Sequence, residues 1–134
     1  MGTGLRAILD TSILLAEATV RPDLTGIEGR VSSVTYGEMN FGVAVASTPE
    51  QTASRLTRMQ RIIAVYGSGV PFDDSVAASF GFLYGVSQMA GKRSRRRVAD
   101  LMIAATAHHL GVPLVTRNAG DFEAIGNHVQ ILAR

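Results

Sequence analysis

Short apolar runs alternate along this chain with longer stretches in which apolar residues recur at helical spacing. Strand-like runs lie at 5–10, 30–34, 70–72, 114–116 and 129–132, and helical patterns at 13–18, 35–45, 49–63, 75–89 and 98–110. Thr48, followed by Pro49, and either Asp73 or Asp74 are predicted to cap the starts of two of these helices. The alternation predicts an α/β fold with a central parallel sheet of about four to five strands and helices on both faces.

The helix predicted at 98–110 is almost wholly apolar and carries one acid, Asp100, near its start. Gly111 and Pro113 follow it and are typical of a helix C-terminus. Apolar residues cover nearly every face, so we expect this helix to be buried on most sides. Because burying an unpaired charge is costly, Asp100 needs a partner. That partner is either a metal ion or the basic residues just upstream, aided by the helix dipole.

Two further acids lie close to predicted strand ends. Asp10 ends the first apolar run, and Glu38 follows the second. Parallel sheets place their ligands at the carboxyl ends of the strands, so Asp10, Glu38, Asp100 and the loop at 118–121 can share one edge. A purely structural role also fits each of the first two acids. Asp10 can form a turn or a cap, and Glu38 can form a capping box with Thr35 as N-cap.

The composition fits a compact globular protein and excludes several other classes. Of 134 residues, 46% are hydrophobic and 18% are charged, which argues against disorder and suits a single domain spanning residues 1–134. The chain has no cysteine, which excludes disulfides and thiolate metal sites. No apolar run reaches the ~18 residues of a membrane span, and no secretory leader is recognisable, so we expect a cytoplasmic protein.

The net charge of the chain is only +2, but one predicted loop is strongly basic. Residues 92–97 read KRSRRR and are basic at five of six positions. We expect Arg95, Arg96 and Arg97 to bind phosphates, which would make the affinity for a nucleic acid depend on salt. A nearby cluster of acids suits Mg²⁺, which prefers oxygen ligands. The ion can activate water and stabilise the leaving oxygen of a phosphodiester.

Other catalytic chemistries lack the residues they need. His108 and His109 are adjacent and therefore face different directions on a helix, and no histidine spacing fits a zinc site. The sequence contains no glycine-rich phosphate loop. A receiver-type phosphotransfer domain would also bind Mg²⁺ through clustered acids, but it needs a lysine where this chain has Arg117 and Asn118.

Five short motifs follow one another along nearly the whole chain. They are LDTS at 9–12, YGEM around Glu38, PFDDSVAASFG at 71–81, RRRVADLMIAATA at 95–107 and LVTRNAGDF at 114–122. In this order they resemble the PIN domain, and in particular the VapC-type toxins of bacterial toxin–antitoxin pairs. The resemblance implies a PIN-like three-layer fold and a magnesium- or manganese-dependent endoribonuclease. It also implies a VapB-type antitoxin as partner, RNA as substrate and a homodimer.

The same resemblance assigns roles to individual residues. By their positions in the motifs, Asp10, Glu38 and Asp100 would be the catalytic acids that coordinate the metal. Ser12 and Thr116 would be hydroxyls that orient those acids. Apolar side chains expected either at a partner contact or in the ordinary core are Leu14, Leu15, Phe41 and Val45.

The fourth acidic position departs from the family pattern. Many relatives have an aspartate where this chain has Asn118, and Asp121 follows three residues later. Asn118 would supply a neutral oxygen, whereas Asp121 either acts as a further catalytic acid through a metal-bound water or only orders the loop. This departure leaves an alternative, a catalytically inactive RNA- or partner-binding module of the same fold.

Overall fold

The computed structural model describes residues 4–16, 21–90 and 98–134 of the chain. The sheet has four strands, all parallel, and four helices follow one another between its second and third strands. The elements in chain order are β1 (Leu5–Leu9), α1 (Thr11–Leu14), β2 (Ile27–Arg30), α2 (Ser33–Ala44), α3 (Pro49–Tyr66), α4 (Asp74–Met89), α5 (Val98–Leu110), β3 (Leu114–Thr116), a 3-10 helix (Ala119–Ile125) and β4 (Ile131–Ala133). The predicted α/β class is confirmed.

The strand order β2-β1-β3-β4 places β1 and β3 in the centre of the sheet. Since all strands run the same way, their carboxyl ends meet at one edge. The segment after β1, the start of α2 after β2 and the 3-10 helix after β3 therefore emerge together. This edge is where parallel sheets place their ligands.

Each face of the sheet has its own apolar core. Ile8 and Leu114 pack with α4, α5 and the 3-10 helix, whereas Leu9 and Val115 pack with Ile13 on the opposite face. Neighbouring residues of a strand point to opposite faces, which is why two adjacent residues serve two cores. In α5, Leu101 and every residue from 103 to 107 are buried, as predicted for this helix.

Several predicted boundaries are wrong. The second strand lies at Ile27–Arg30 rather than 30–34, and the strand predicted at 70–72 is reduced to a bridge between Ser32 and Val70. The first helix lies at Thr11–Leu14 rather than 13–18, and residues 17–20 are outside the described part. The last strand begins two residues later than predicted.

The capping box at Thr35 and Glu38 is also wrong. α2 begins at Ser33, and its N-cap is Ser32, whose Oγ accepts a hydrogen bond from the Val34 N–H at 3.1 Å. Thr35 is therefore inside the helix and buried. Glu38 lies one turn further along α2, and its side chain contacts a residue outside that helix.

Two other caps are confirmed. Thr48 Oγ1 accepts from the Gln51 N–H at 3.1 Å, with Pro49 in the first helical position. Asp73, rather than Asp74, caps α4 by accepting from the Val76 N–H at 3.0 Å.

The basic loop at 92–97, with Arg95, Arg96 and Arg97, lies outside the described residues. None of the helices in the described ranges combines the length and the apolar character that a membrane crossing requires.

Candidate active site

Asp10 directly follows β1, and two hydroxyl groups hold its buried carboxylate. Its main-chain N–H donates to the Val115 carbonyl at 2.8 Å, which continues the pairing of β1 with β3 beyond the end of the strand. Thr116 Oγ1 donates to Asp10 Oδ2 at 2.7 Å, and Ser12 Oγ donates to the same oxygen at 2.8 Å. The structure thus brings Asp10, Ser12 and Thr116 together, and we refer to them as the hydroxyl clamp.

Each of the two hydroxyl oxygens also accepts a hydrogen bond from a main-chain N–H group. The Asn118 N–H donates to Thr116 Oγ1 at 3.0 Å, and the Arg117 N–H donates to Ser12 Oγ at 3.1 Å. A hydroxyl carries one proton. Because a carboxylate can only accept, each hydroxyl directs that proton to Asp10 while its oxygen accepts from the main chain. Both bonds to the carboxylate end on Oδ2, and Oδ1 accepts no hydrogen bond from the described residues.

Glu38 is connected to the residue next to Asp10. Thr11 Oγ1 donates to Glu38 Oε1 at 2.7 Å and lies 3.1 Å from Thr35 Oγ1. These contacts join the start of α1 to α2 and set the Glu38 carboxylate beside the carboxyl end of β1. Neither Thr11 nor Thr35 was predicted to belong to the site. Their only sequence signal was proximity to Asp10 and Glu38.

Asp100 lies in the first turn of α5 and is partly buried. α5 ends at Leu110, and a short turn leads back into β3, so the helix runs antiparallel to that strand. Its first turn is consequently at the carboxyl edge of the sheet, the edge that also carries Asp10. α5 packs against both β1 and α2, the elements that position Asp10 and Glu38.

Asn118 and Asp121 lie on the exposed side of the same edge. Asn118 is the N-cap of the 3-10 helix, and its carbonyl accepts from the Asp121 N–H at 2.9 Å. The side chains of both residues are exposed. The structure brings them to the edge without deciding which of the two takes the fourth acidic position.

The acids line one edge without forming a closed cage. Across residues 4–16, 21–90 and 98–134, no three aspartate, glutamate, histidine or cysteine side chains are close enough to hold one ion together. Mg²⁺ does not require such a cage, since it keeps several waters and commonly binds through one or two carboxylates. The Asp10 carboxylate, fixed through one oxygen, fits such an ion. The complete ligand set of Asp10, Glu38 and Asp100 stays a prediction.

His108 and His128 make contacts away from the acids. His108 Nδ1 lies 2.7 Å from Ser79 Oγ, and its ring stacks on Phe82 with the ring centres 5.5 Å apart. Phe82 also meets the His128 ring edge-on at 4.9 Å. This group packs α4 against α5 and the residues that follow the 3-10 helix.

The four apolar side chains predicted for a partner contact or the core divide between the core and the surface. Leu14 packs against the core that contains Leu9 and Ile13. Leu15, Phe41 and Val45 are exposed.

Comparison with known proteins identifies the same family that the motifs resemble. The family model of the PIN domain matches residues 7–127. Ribonuclease VapC4 of Mycobacterium tuberculosis is 35% identical over 123 residues, covering 90% of this chain and 91% of that protein.

Two solved structures have a similar fold. One is VapBC-5 of M. tuberculosis, a member of the VapBC family of toxin–antitoxin systems, with a TM-score of 0.77 and 29% identity over 96% of this chain and 98% of the other. The second is FitAcB of Neisseria gonorrhoeae, with a TM-score of 0.74 and 26% identity over 94% of this chain and 96% of the other.

Proposed function

This chain belongs to the PIN-domain family, and on that premise we propose that it is an endoribonuclease that serves as the toxin of a toxin–antitoxin pair. Support comes from a relative named as a ribonuclease and from a solved neighbour of the VapBC family. RNA is the proposed substrate, and a VapB-type antitoxin is the proposed partner. We further propose that the toxin is a homodimer and acts in the cytoplasm.

The hydroxyl clamp is the observation that carries this proposal. A structural aspartate at a strand end needs only a cap, whereas Asp10 is buried and receives two hydroxyl protons on one oxygen. The clamp fixes the carboxylate and leaves Oδ1 available for a ligand. Orienting contacts of this kind are typical of carboxylates that bind metal ions.

The proposed reaction is hydrolysis of an RNA phosphodiester. Mg²⁺, or Mn²⁺ in its place, held by Asp10, Glu38 and Asp100, would supply an activated water and charge stabilisation for the leaving oxygen. Thr11 keeps the Glu38 carboxylate beside Asp10, and the clamp keeps Asp10 from rotating. Asn118 or Asp121 would complete the metal site on its exposed side. Asn118 would supply a neutral oxygen, and Asp121 would supply a carboxylate. Arg95, Arg96 and Arg97 would bind flanking phosphates.

The first test is cleavage of total RNA by the purified chain in the presence of Mg²⁺ or a chelator. We expect discrete fragments with Mg²⁺ and none with chelator, because Mg²⁺ supplies the activated water. Asp100→Asn should reduce cleavage below detection while the circular dichroism spectrum stays unchanged. The product pattern on a sequencing gel is the measurement.

Asp74→Asn is the matched control for that variant. Asp74 is also an acid in the first turn of a helix, but it is exposed and lies at the start of α4. The Asp74→Asn variant should cut RNA like the wild type. Cleavage that persists in Asp100→Asn would contradict the catalytic role, and loss of its folded spectrum would assign Asp100 to stability instead.

A second candidate function is an RNA- or partner-binding module that has lost catalysis. Asn118, a neutral residue at the fourth acidic position, favours it. The two functions differ in metal binding, because an ion that binds only the folded state raises its stability by about 2.7 kcal/mol at 100 times its Kd.

Thermal unfolding with and without Mg²⁺ separates the two candidates. For the nuclease, Mg²⁺ should raise Tm of the wild type and of Asp74→Asn but not of Asp10→Asn, which removes one ligand charge. If Mg²⁺ leaves the wild-type Tm unchanged, the binding module becomes the better description.

A further inference from the structure

A cleft of about 610 Å³ opens beside Glu38, between α1, α2 and α3. Thr11 and Glu38, which hydrogen-bond to each other, form the end nearest the acids. The cleft is therefore continuous with the candidate active site. Phe41 of α2 lies in one wall together with Gly37 and Gly42, and Arg55 and Arg58 of α3 lie in the opposite wall.

One wall presents a large aromatic side chain to solvent. Phe41 is 68% exposed although it belongs to a helix that packs against α3 and α5. Gly37 and Gly42 flank it on α2, and a Cβ atom added at either position would meet nothing within 4 Å. Neither glycine is needed for close packing. Their effect is to keep the surface of α2 open on either side of Phe41.

The opposite wall carries positive charge. Arg55 Nη1 donates to the Gly42 carbonyl at 2.7 Å, which ties α3 to α2 and fixes the width of the cleft. Arg58 lies one turn further along α3 and lines both this cleft and an adjoining groove that contains Arg61. The arginines continue from the cleft along the outer side of α3.

We propose that this cleft binds an unstacked nucleobase of the RNA, next to the phosphodiester that is cut. The inference rests on the proposed ribonuclease function and adds a binding site to it. Phe41 stacks on the base, and Arg58 binds the adjacent phosphate. Single-stranded RNA is recognised in this way, by aromatic stacking together with cations along its backbone.

Charge and position favour RNA over a peptide as the occupant. The cleft combines an exposed aromatic ring with arginines, and its inner end is Glu38, where a scissile phosphate would be bound. A nucleotide joins a flat base to an anionic phosphate within one small unit, which suits a stacking wall that faces a cationic wall. An apolar peptide would leave the arginines without a counter-charge.

The test compares binding of two fluorescein-labelled probes, a short mixed-sequence oligoribonucleotide and an abasic ribose-phosphate oligomer of equal length. Every protein carries Asp100→Asn, so that RNA is bound without being cut, and anisotropy gives Kd in Mg²⁺. The parent should prefer the base-containing probe by about 10-fold, the effect of one stacked base. Phe41→Ala and the cleft-filling variant Gly42→Leu should abolish this preference.

Arg58→Ala should weaken the binding of both probes and lower the slope of log K against log salt by about one, as expected for a phosphate contact. Two matched controls should behave like the parent. Phe82→Ala removes an exposed phenylalanine from α4, and Arg6→Ala removes an exposed arginine at the amino edge of the sheet.

Three results would overturn the inference. An unchanged preference in Phe41→Ala and Gly42→Leu would show that no base occupies the cleft. If these variants keep their RNA binding but lose binding to the co-expressed antitoxin, the occupant is a peptide. A parent that binds neither probe would also overturn the proposed RNA substrate, which distinguishes failure of the function from failure of this site alone.

Discussion

At the scale of single residues, the hydroxyl clamp is a chain of donors with a defined direction. Main-chain N–H groups of Arg117 and Asn118 donate to the hydroxyls of Ser12 and Thr116, which donate to Asp10. Each hydroxyl satisfies one main-chain donor as well as the carboxylate. Removing one hydroxyl therefore affects both the orientation of Asp10 and the loop after β3.

Thr116→Val tests the clamp with little change in shape. The variant leaves the Asn118 N–H without its acceptor, so we expect the free energy of unfolding to fall by about 1–3 kcal/mol. Cleavage should fall by about 10- to 100-fold, the usual effect of losing a contact that orients a metal ligand. Urea denaturation and the initial rate of RNA cleavage are the two measurements.

Thr106→Val is the control for that substitution. Thr106 is also fully buried, but its hydroxyl donates to the Met102 carbonyl within α5. It should keep wild-type cleavage under conditions in which it remains folded. Equal loss of activity in the two variants would mean that Thr116 acts only through stability.

The sequence predicted the acids of the candidate site but only some of the residues that contact them. Ser12 and Thr116 followed from motif positions, and the structure places both on Asp10. Thr11 and Thr35 did not follow, because their contacts join residues 24 and 27 positions apart. Such contacts depend on how α2 docks on the sheet, which no local pattern specifies.

At the scale of helices and strands, two glycines allow the same substitution to be compared in two backbone conformations. Gly111 follows α5 at a φ of 67°, whereas Gly37 is inside α2 and has no positive φ. An added Cβ meets nothing within 4 Å at either position. A change to alanine thus differs between the two sites only in backbone conformation.

We expect opposite effects on stability from the same substitution. Gly111→Ala should lower the free energy of unfolding by about 1–2 kcal/mol, because an L-residue is strained in the left-handed region. Gly37→Ala should raise it by about 0.5–1 kcal/mol, because alanine loses less backbone entropy in a helix. Urea midpoints at constant m-value measure both, and a shift of the same sign in both variants would contradict this expectation.

The starts of α3 and α4 were predicted from local capping residues, but the start of α2 was not. Thr48 and Asp73 each accept a bond from an N–H three residues ahead. The local pattern was sufficient to predict Thr48, whereas at α4 it left Asp73 and Asp74 as alternatives. At α2, the sequence predicted Thr35 as the cap, whereas the structure has Ser32 in that role. The choice falls on Ser32 because its main chain pairs with Val70, which holds it at the sheet edge while Thr35 is drawn into the interior.

At the scale of the whole molecule, the α/β class followed from the hydrophobic pattern, but the strand order did not. Apolar runs at 5–10 and 114–116 became the central strands β1 and β3, paired through Ile8 with Leu114 and Leu9 with Val115. Both are nearly continuous apolar runs, as expected for strands covered on two faces. Helix packing decides which buried strand neighbours which, so neither the order nor the register could be predicted from the hydrophobic pattern.

The basic stretch at 92–97 concentrates positive charge in one part of the chain, and its role in RNA binding is predicted from the sequence. Replacing Arg95, Arg96 and Arg97 together by alanine should reduce the slope of log K for single-stranded RNA against log salt by about two. The reason is that fewer counterions are released when fewer phosphates are neutralised. Anisotropy titrations at several salt concentrations measure it, and an unchanged slope would exclude the loop from the RNA contact.

The separation of the clamp residues along the chain also determines how long after Asp10 its second hydroxyl partner is synthesised. Asp10 and Thr116 are 106 positions apart, and at about 5–20 residues per second a ribosome needs about 5–20 s to extend the chain from one to the other. During that interval only the neighbouring Ser12 hydroxyl is available to Asp10. The nascent polypeptide thus carries Asp10 and Glu38 well before Asp100 and Thr116 are made, and the active site of the proposed toxin cannot be assembled until residue 116 has been translated.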